Sequence, residues 1–154
     1  VNAAFWFIPA SALKKVGGFS PLFFHYGEDV DYIHRMRFYG YRVGYTPLTS
    51  GCHDRQNRPI TRETQMKLDR VYYLSVVSDL NSGLAKCLWG GLAPLKPGML
   101  ALLRGRFKEF CFYTGTSVRL LCRYLSIAEI KRFCKQGRPV FLENVHSKIK
   151  PIWS

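Results

Sequence analysis

A chain of 154 residues has room for one domain with its own core, or for a small domain carrying an extension. Hydrophobic residues at 47% and aromatic residues at 15% exclude an intrinsically disordered chain. The net charge of +13 is uneven: residues 1–53 hold five Lys/Arg against three Asp/Glu, and residues 54–154 hold eighteen against seven.

That split predicts two parts with different partners, the basic one suited to anionic lipid headgroups, nucleic acid or an acidic protein. The cysteines (Cys52, Cys87, Cys111, Cys122 and Cys134) are odd in number and form no Cys-x-x-Cys pair. They read as reduced structural thiols in a cytosolic setting, not as a disulfide framework or a zinc site. The sequence opens at Val1 without methionine, as if in mid-strand, and is expected to be a fragment.

Ala3–Ile8 is an apolar run stopped by Pro9, the pattern of a buried strand in a parallel or mixed sheet. Ala12–Val16 follows as a helix opened by Pro9 or Ser11 and ended by Gly17-Gly18. Phe19–Tyr26 is an aromatic loop. A second helix is predicted from Glu28 to about Phe38, acidic at its start and basic at its end, in accord with the helix macrodipole. Asp31 and Arg35 stand at the i,i+4 spacing of an ion pair, and Gly40 stands where a C-terminal cap belongs. Arg42–Thr46 alternates like a short strand, and a loop then leads to His53.

Past His53 the chain turns polar through Pro59. Thr61 is placed to cap a helix running to about Leu80, where Asn81-Ser82-Gly83 break it. Leu84–Leu92 is a further helical piece, Pro94–Gly98 a break, and Met99 to about Tyr124 a long helical pattern. Ser126-Ile127-Ala128-Glu129 has capping-box spacing and is expected to open a last helix closed by Gly137. The most apolar window, Leu84–Leu103, is interrupted by Lys86, Pro94, Lys96 and Pro97, which disfavours a membrane span. Helices lying on a membrane surface, apolar face down with basic residues at the rim, fit better; helices that merely cover a core are the alternative.

Glu28, Asp29 and Asp31 fall within four residues beside a cluster of rings. Like charges beside apolar rings must pair, meet a metal or face a cleft. Alone, the first two would read as ordinary acids of a helix start.

Ala3–Ile8, Val16-Gly17-Gly18-Phe19-Ser20, Phe23–Asp31, Arg35, Gly40-Tyr41-Arg42-Val43, Pro47 and His53 together resemble the C-terminal half of the catalytic domain of family 2 inverting glycosyltransferases, over about a third of the chain. The resemblance implies an α/β fold: a partial GT-A segment, with its Rossmann-like mixed sheet, over residues 1–58, followed by a basic α-helical extension over 59–154. It implies transfer of a sugar from a nucleotide-sugar donor to a glycan or lipid-linked acceptor with inversion. Asp29 would be the general base, with Glu28 on the acceptor side; Tyr26, Trp6 and His25 are the aromatic candidates beside the acceptor, Tyr26 the better one and core packing the alternative for Trp6. Asp31 and Arg35 would orient the site, and His53 would complete the coordination of a divalent manganese or magnesium ion, a hydrogen-bonded structural histidine being the alternative.

The family's nucleotide-binding half, with its Asp-x-Asp metal motif, has no counterpart here, so activity is expected to require a further segment. A cytoplasmic protein, peripheral on the inner face of the cytoplasmic membrane, is the implied setting. A non-catalytic basic module over 59–154 is the competing reading, binding anionic membrane or nucleic acid. Nucleic acid is the weaker partner, because the basic residues are spread along helices and form no recognised nucleic-acid motif.

Overall fold

The computed structural model describes residues 6–23, 26–48, 59–137 and 140–142. These form seven α-helices: α1 (Ala10–Val16), α2 (Glu28–Phe38), α3 (Arg62–Ser78), α4 (Leu84–Leu92), α5 (Leu95–Leu103), α6 (Phe107–Cys122) and α7 (Tyr124–Cys134). There is no strand among the described residues, which overturns the expected α/β, GT-A-like mixed sheet. Of the run Ala3–Ile8, residues 3–5 lie outside the described residues, and Trp6 to Ile8 form no ladder. Arg42–Thr46 runs without partners, with Tyr45 87% exposed. The physical reason is cooperative. A strand is stabilised by its neighbours, and among the described residues neither Trp6 to Ile8 nor Arg42–Thr46 has another segment to pair with.

Helix ends follow local chemistry closely. Pro9 caps α1, its carbonyl accepting from the Ala12 and Leu13 amides at 2.9 and 3.1 Å. The Thr61 hydroxyl accepts from the Thr64 amide at 3.2 Å at the head of α3. Gly40, at φ 78°, closes α2 as expected. Three boundaries differ from the sequence expectation. The break expected over Pro94–Gly98 is confined to Ala93-Pro94, because α5 begins at Leu95 and Pro97 sits in its first turn, where an amide has no intrahelical acceptor to lose. The long pattern from Met99 to Tyr124 is cut at Gly105, whose left-handed backbone (φ 68°) lets its amide and that of Arg106 return to the carbonyls of Leu102 and Ala101. The capping box at Ser126 does not form; α7 starts at Tyr124, directly after α6, with Arg123 ending one helix and preceding the other.

The main core joins Leu22 and Phe23 of the aromatic loop to Leu74 and Val77 of α3, Leu120 of α6 and Ile127 of α7. A second core holds α1 against α2 through Ala12, Val16, Tyr32 and Met36, with Trp6 packed on it. A third joins Leu80, Cys134 and Val140. The expected boundary near residue 58 is therefore crossed by packing, since Leu22 and Phe23 are part of the helical core that α3, α6 and α7 build.

Candidate functional site

The acidic start of α2 is set by two consecutive left-handed residues. Tyr26 has φ 69° and Gly27 has φ 86°. For a tyrosine this conformation is strained, and such strain persists only where surrounding structure holds it. The brace is visible at Gly27. A Cβ there would lie 2.3 Å from the Val71 side chain of α3 and 3.0 Å from the Phe23 ring. The space beside Gly27 is thus filled by the chain's own α3.

Four residues on, Asp31 and Arg35 form the expected ion pair, and it is buried: Arg35 Nε donates to Asp31 Oδ2 at 2.9 Å. The other two guanidinium nitrogens reach back to the turn after α1. Nη1 donates to the Val16 carbonyl at 2.8 Å and Nη2 to the Gly18 carbonyl at 2.7 Å. The guanidinium also stacks over Tyr32 at 4.9 Å and Phe141 at 5.5 Å. Burial pushes the Asp31 carboxyl above its usual value, against the pull of Arg35. The pair therefore acts as a positioning brace between the Gly17-Gly18 turn and α2.

Glu28 and Asp29 sit half-buried in the first turn. Asp29 Oδ1 accepts from the Val30 amide at 2.8 Å. Glu28 Oε2 is buried and has no hydrogen-bond partner among the described residues. A carboxylate oxygen left in this way carries a desolvation cost that a bound hydroxyl would remove. Tyr26 is exposed beside them. Trp6 stands elsewhere: its ring lies 5.9 Å from Tyr32 and 6.4 Å from Phe19, and it packs on the α1–α2 core. His25 and His53 lie outside the described residues. Among the described residues no group of three His, Cys, Asp or Glu side chains could hold a metal ion.

Sequence reasoning missed two features. Asp79, just past α3, collects the Asn81 amide and side chain at 2.9 Å and the Ser82 hydroxyl at 3.0 Å, with His34 Nδ1 at 3.8 Å. Asp79-Leu80-Asn81-Ser82 has the short-range pattern of an Asx turn, which was the available signal. Lys131 Nζ lies 3.0 Å from Cys87 Sγ and 3.2 Å from the Ser82 carbonyl, a contact between α7 and α4 that no local pattern announces.

No family model, curated protein or solved structure matches the chain. The resemblance to family 2 glycosyltransferases is accordingly corrected: the mixed sheet it requires does not form among the described residues, and no family match supports it.

Proposed function

We propose that residues 26–31 are the acceptor side of a sugar-transfer site, in which a nucleotide-sugar donor passes its sugar to a glycan or lipid-linked acceptor with inversion. The reading rests on side-chain chemistry at one helix start. Asp29 takes the proton of the acceptor hydroxyl as that oxygen attacks the anomeric carbon, and the nucleoside diphosphate leaves. Glu28 accepts a hydrogen bond from a second acceptor hydroxyl, and exposed Tyr26 offers a ring face to the sugar. Asp31 and Arg35 fix the helix start and touch no substrate.

The observation that carries the proposal is the buried, unpartnered Glu28 oxygen next to Asp29, on a helix start held by a strained Tyr26. Donor binding falls to a nucleotide-binding segment that this sequence does not contain, as it holds no glycine-rich phosphate loop. A divalent manganese or magnesium ion belongs to the proposal for the complete enzyme. The described residues offer no set to hold it, and no step here runs through it.

The test is turnover of the complete enzyme, read as nucleoside diphosphate release across a panel of nucleotide sugars. Asp29→Asn is expected to lower kcat by roughly a thousandfold with donor affinity retained. Glu28→Gln is expected to raise the acceptor KM, and the product anomer should be inverted. Unchanged turnover in Asp29→Asn refutes the base assignment.

A further inference from the structure

Helices α4 and α5 are apolar on the wrong side for a protein surrounded by water. Ala93 and Pro94, between them, keep helical backbone angles (φ −53°, ψ −34° and φ −60°, ψ −22°), so the helical register carries through the junction. At 3.6 residues per turn, Leu84, Leu88, Leu92, Leu95, Met99 and Leu103 fall within an arc of about 100°. All six are exposed, Leu103 by 79%. Trp89, 74% exposed, stands beside them. The opposite arc carries small residues. Cys87, Gly90, Gly91, Gly98 and Ala101 are buried there, Gly90 against α3 and Gly91 and Gly98 against α6.

The small side chains are what permits the close approach. A Cβ at Gly90 would meet the Val76 side chain at 2.8 Å, one at Gly91 the Leu121 side chain at 3.0 Å, and one at Gly98 Tyr113 at 3.3 Å. The large apolar side chains are thus turned outward while the small ones make the helix contacts, the distribution found where lipid is the solvent. A continuous outward apolar stripe of this length marks an interaction surface, not scattered surface hydrophobes.

Charge selects the occupant. Between Asp79 and Glu109 there is no acidic residue, while Lys86, Lys96, Arg104, Arg106 and Lys108 fall in the same interval. Lys86, Lys96 and Arg104 are all exposed: Lys96 falls at the edge of the stripe, and Lys86 and Arg104 fall at the far rim of the exposed face, beyond Trp89 and Leu100. An apolar face studded with cations and free of anions is complementary to a bilayer with anionic headgroups. Trp89 is the residue type that sits at headgroup level. No helix among the described residues is long and apolar enough to cross a membrane, and the inner side of α4–α5 is already occupied by α3 and α6. We propose that α4 and α5 lie in the plane of an anionic lipid surface, Leu84 to Leu103 among the acyl chains and Lys86, Lys96 and Arg104 against the headgroups. This docking stands independently of the sugar-transfer reading.

The test is co-sedimentation of the full chain with phosphatidylcholine vesicles, with and without phosphatidylglycerol. Binding is expected to require the anionic lipid. The triple variant Lys86→Gln, Lys96→Gln, Arg104→Gln should weaken it roughly a hundredfold. Trp89→Ser and Leu103→Ser should each weaken it about tenfold; both side chains are exposed, so the variants retain the fold, checked by circular dichroism. Brominated acyl chains should quench tryptophan emission in the wild type, and Trp89→Phe should lose that quenching. Absence of binding to anionic vesicles, or binding indifferent to both sets of variants, overturns the proposal. So does a dimer in sedimentation equilibrium that Trp89→Ser and Leu103→Ser dissociate without any vesicle binding, which would give the face to a second copy of the chain.

Discussion

Arg35 carries more of the architecture around the candidate site than any carboxylate does. Its three nitrogens bond one carboxylate and two carbonyls, so its loss leaves all three acceptors buried and unpaired. Arg35→Met is expected to destabilise the fold by about 3–5 kcal/mol, measured by urea unfolding. Asp31→Asn should cost less, because burial already disfavours the Asp31 charge and Arg35 would keep its two carbonyls. Equal losses would mean that the ion pair, and not the carbonyl bonds, holds the turn. Gly27→Ala should cost at least about 2 kcal/mol, since an added methyl meets Val71 and the backbone is left-handed.

Asp79 gives a pH signature of known sign. Burial raises its pKa, but the Asn81 amide and side chain, the nearby His34 and the Ser82 hydroxyl outweigh that, and the carboxyl ends below its usual 3.8. A depressed carboxylate stabilises the fold above its unfolded pKa and ceases to as pH falls through the folded value. The stability gap between wild type and Asp79→Asn should therefore be full near neutral pH and close progressively below 3.8. A gap that does not change with pH would remove the ionised Asp79 from the turn.

At the scale of elements, what the sequence made legible was local. The limits of α2, the Thr61 cap, the Asp31–Arg35 spacing and the end of α3 near Ser78 all depend on side chains within four residues of one another. The Thr61 cap is expected to contribute about 1 kcal/mol, to be read from Thr61→Ala. The sheet was misread because alternation in Arg42–Thr46 states only which face a strand would bury, and whether a neighbour exists is decided elsewhere. The Gly105 stop was legible in principle as a glycine between two arginines at the end of an apolar stretch. In the site, the Asp31–Arg35 pair was readable, whereas the reach of Arg35 to Val16 and Gly18 spans seventeen to nineteen residues and has no periodic signature. The role of Gly27 was half visible: its left-handed turn follows from its place before Glu28, but its contact with Val71 depends on how α3 packs.

For the molecule as a whole, thiol chemistry reports whether these layers are closed. Cys111 and Cys122 are exposed, and Cys87 and Cys134 are buried. Burial also pushes the Cys134 thiol up to about 12, so little thiolate exists there at neutral pH. Alkylation followed by peptide mapping should label Cys111 and Cys122 in the native protein, and Cys87 and Cys134 only under denaturant. Ready labelling of Cys134 would mean that α7 does not close on Leu80 and Val140.

The two ends of the described chain are fastened to each other around the Gly17-Gly18 turn. The Gly18 amide donates to the Val140 carbonyl at 2.7 Å, and a Cβ on Gly17 would strike that same carbonyl. The Tyr39 hydroxyl donates to the Cys134 carbonyl and accepts from the Gly137 amide. During synthesis the segment that locks this turn leaves the ribosome about a hundred residues after the residues around Asp29. Closure of so long a loop is slow compared with forming a helix. A chain stalled before Val140 would therefore keep the Val71 brace at Gly27 and the Arg35 bonds to Val16 and Gly18, and would lack the clasp that the later segment closes on the Gly17-Gly18 turn.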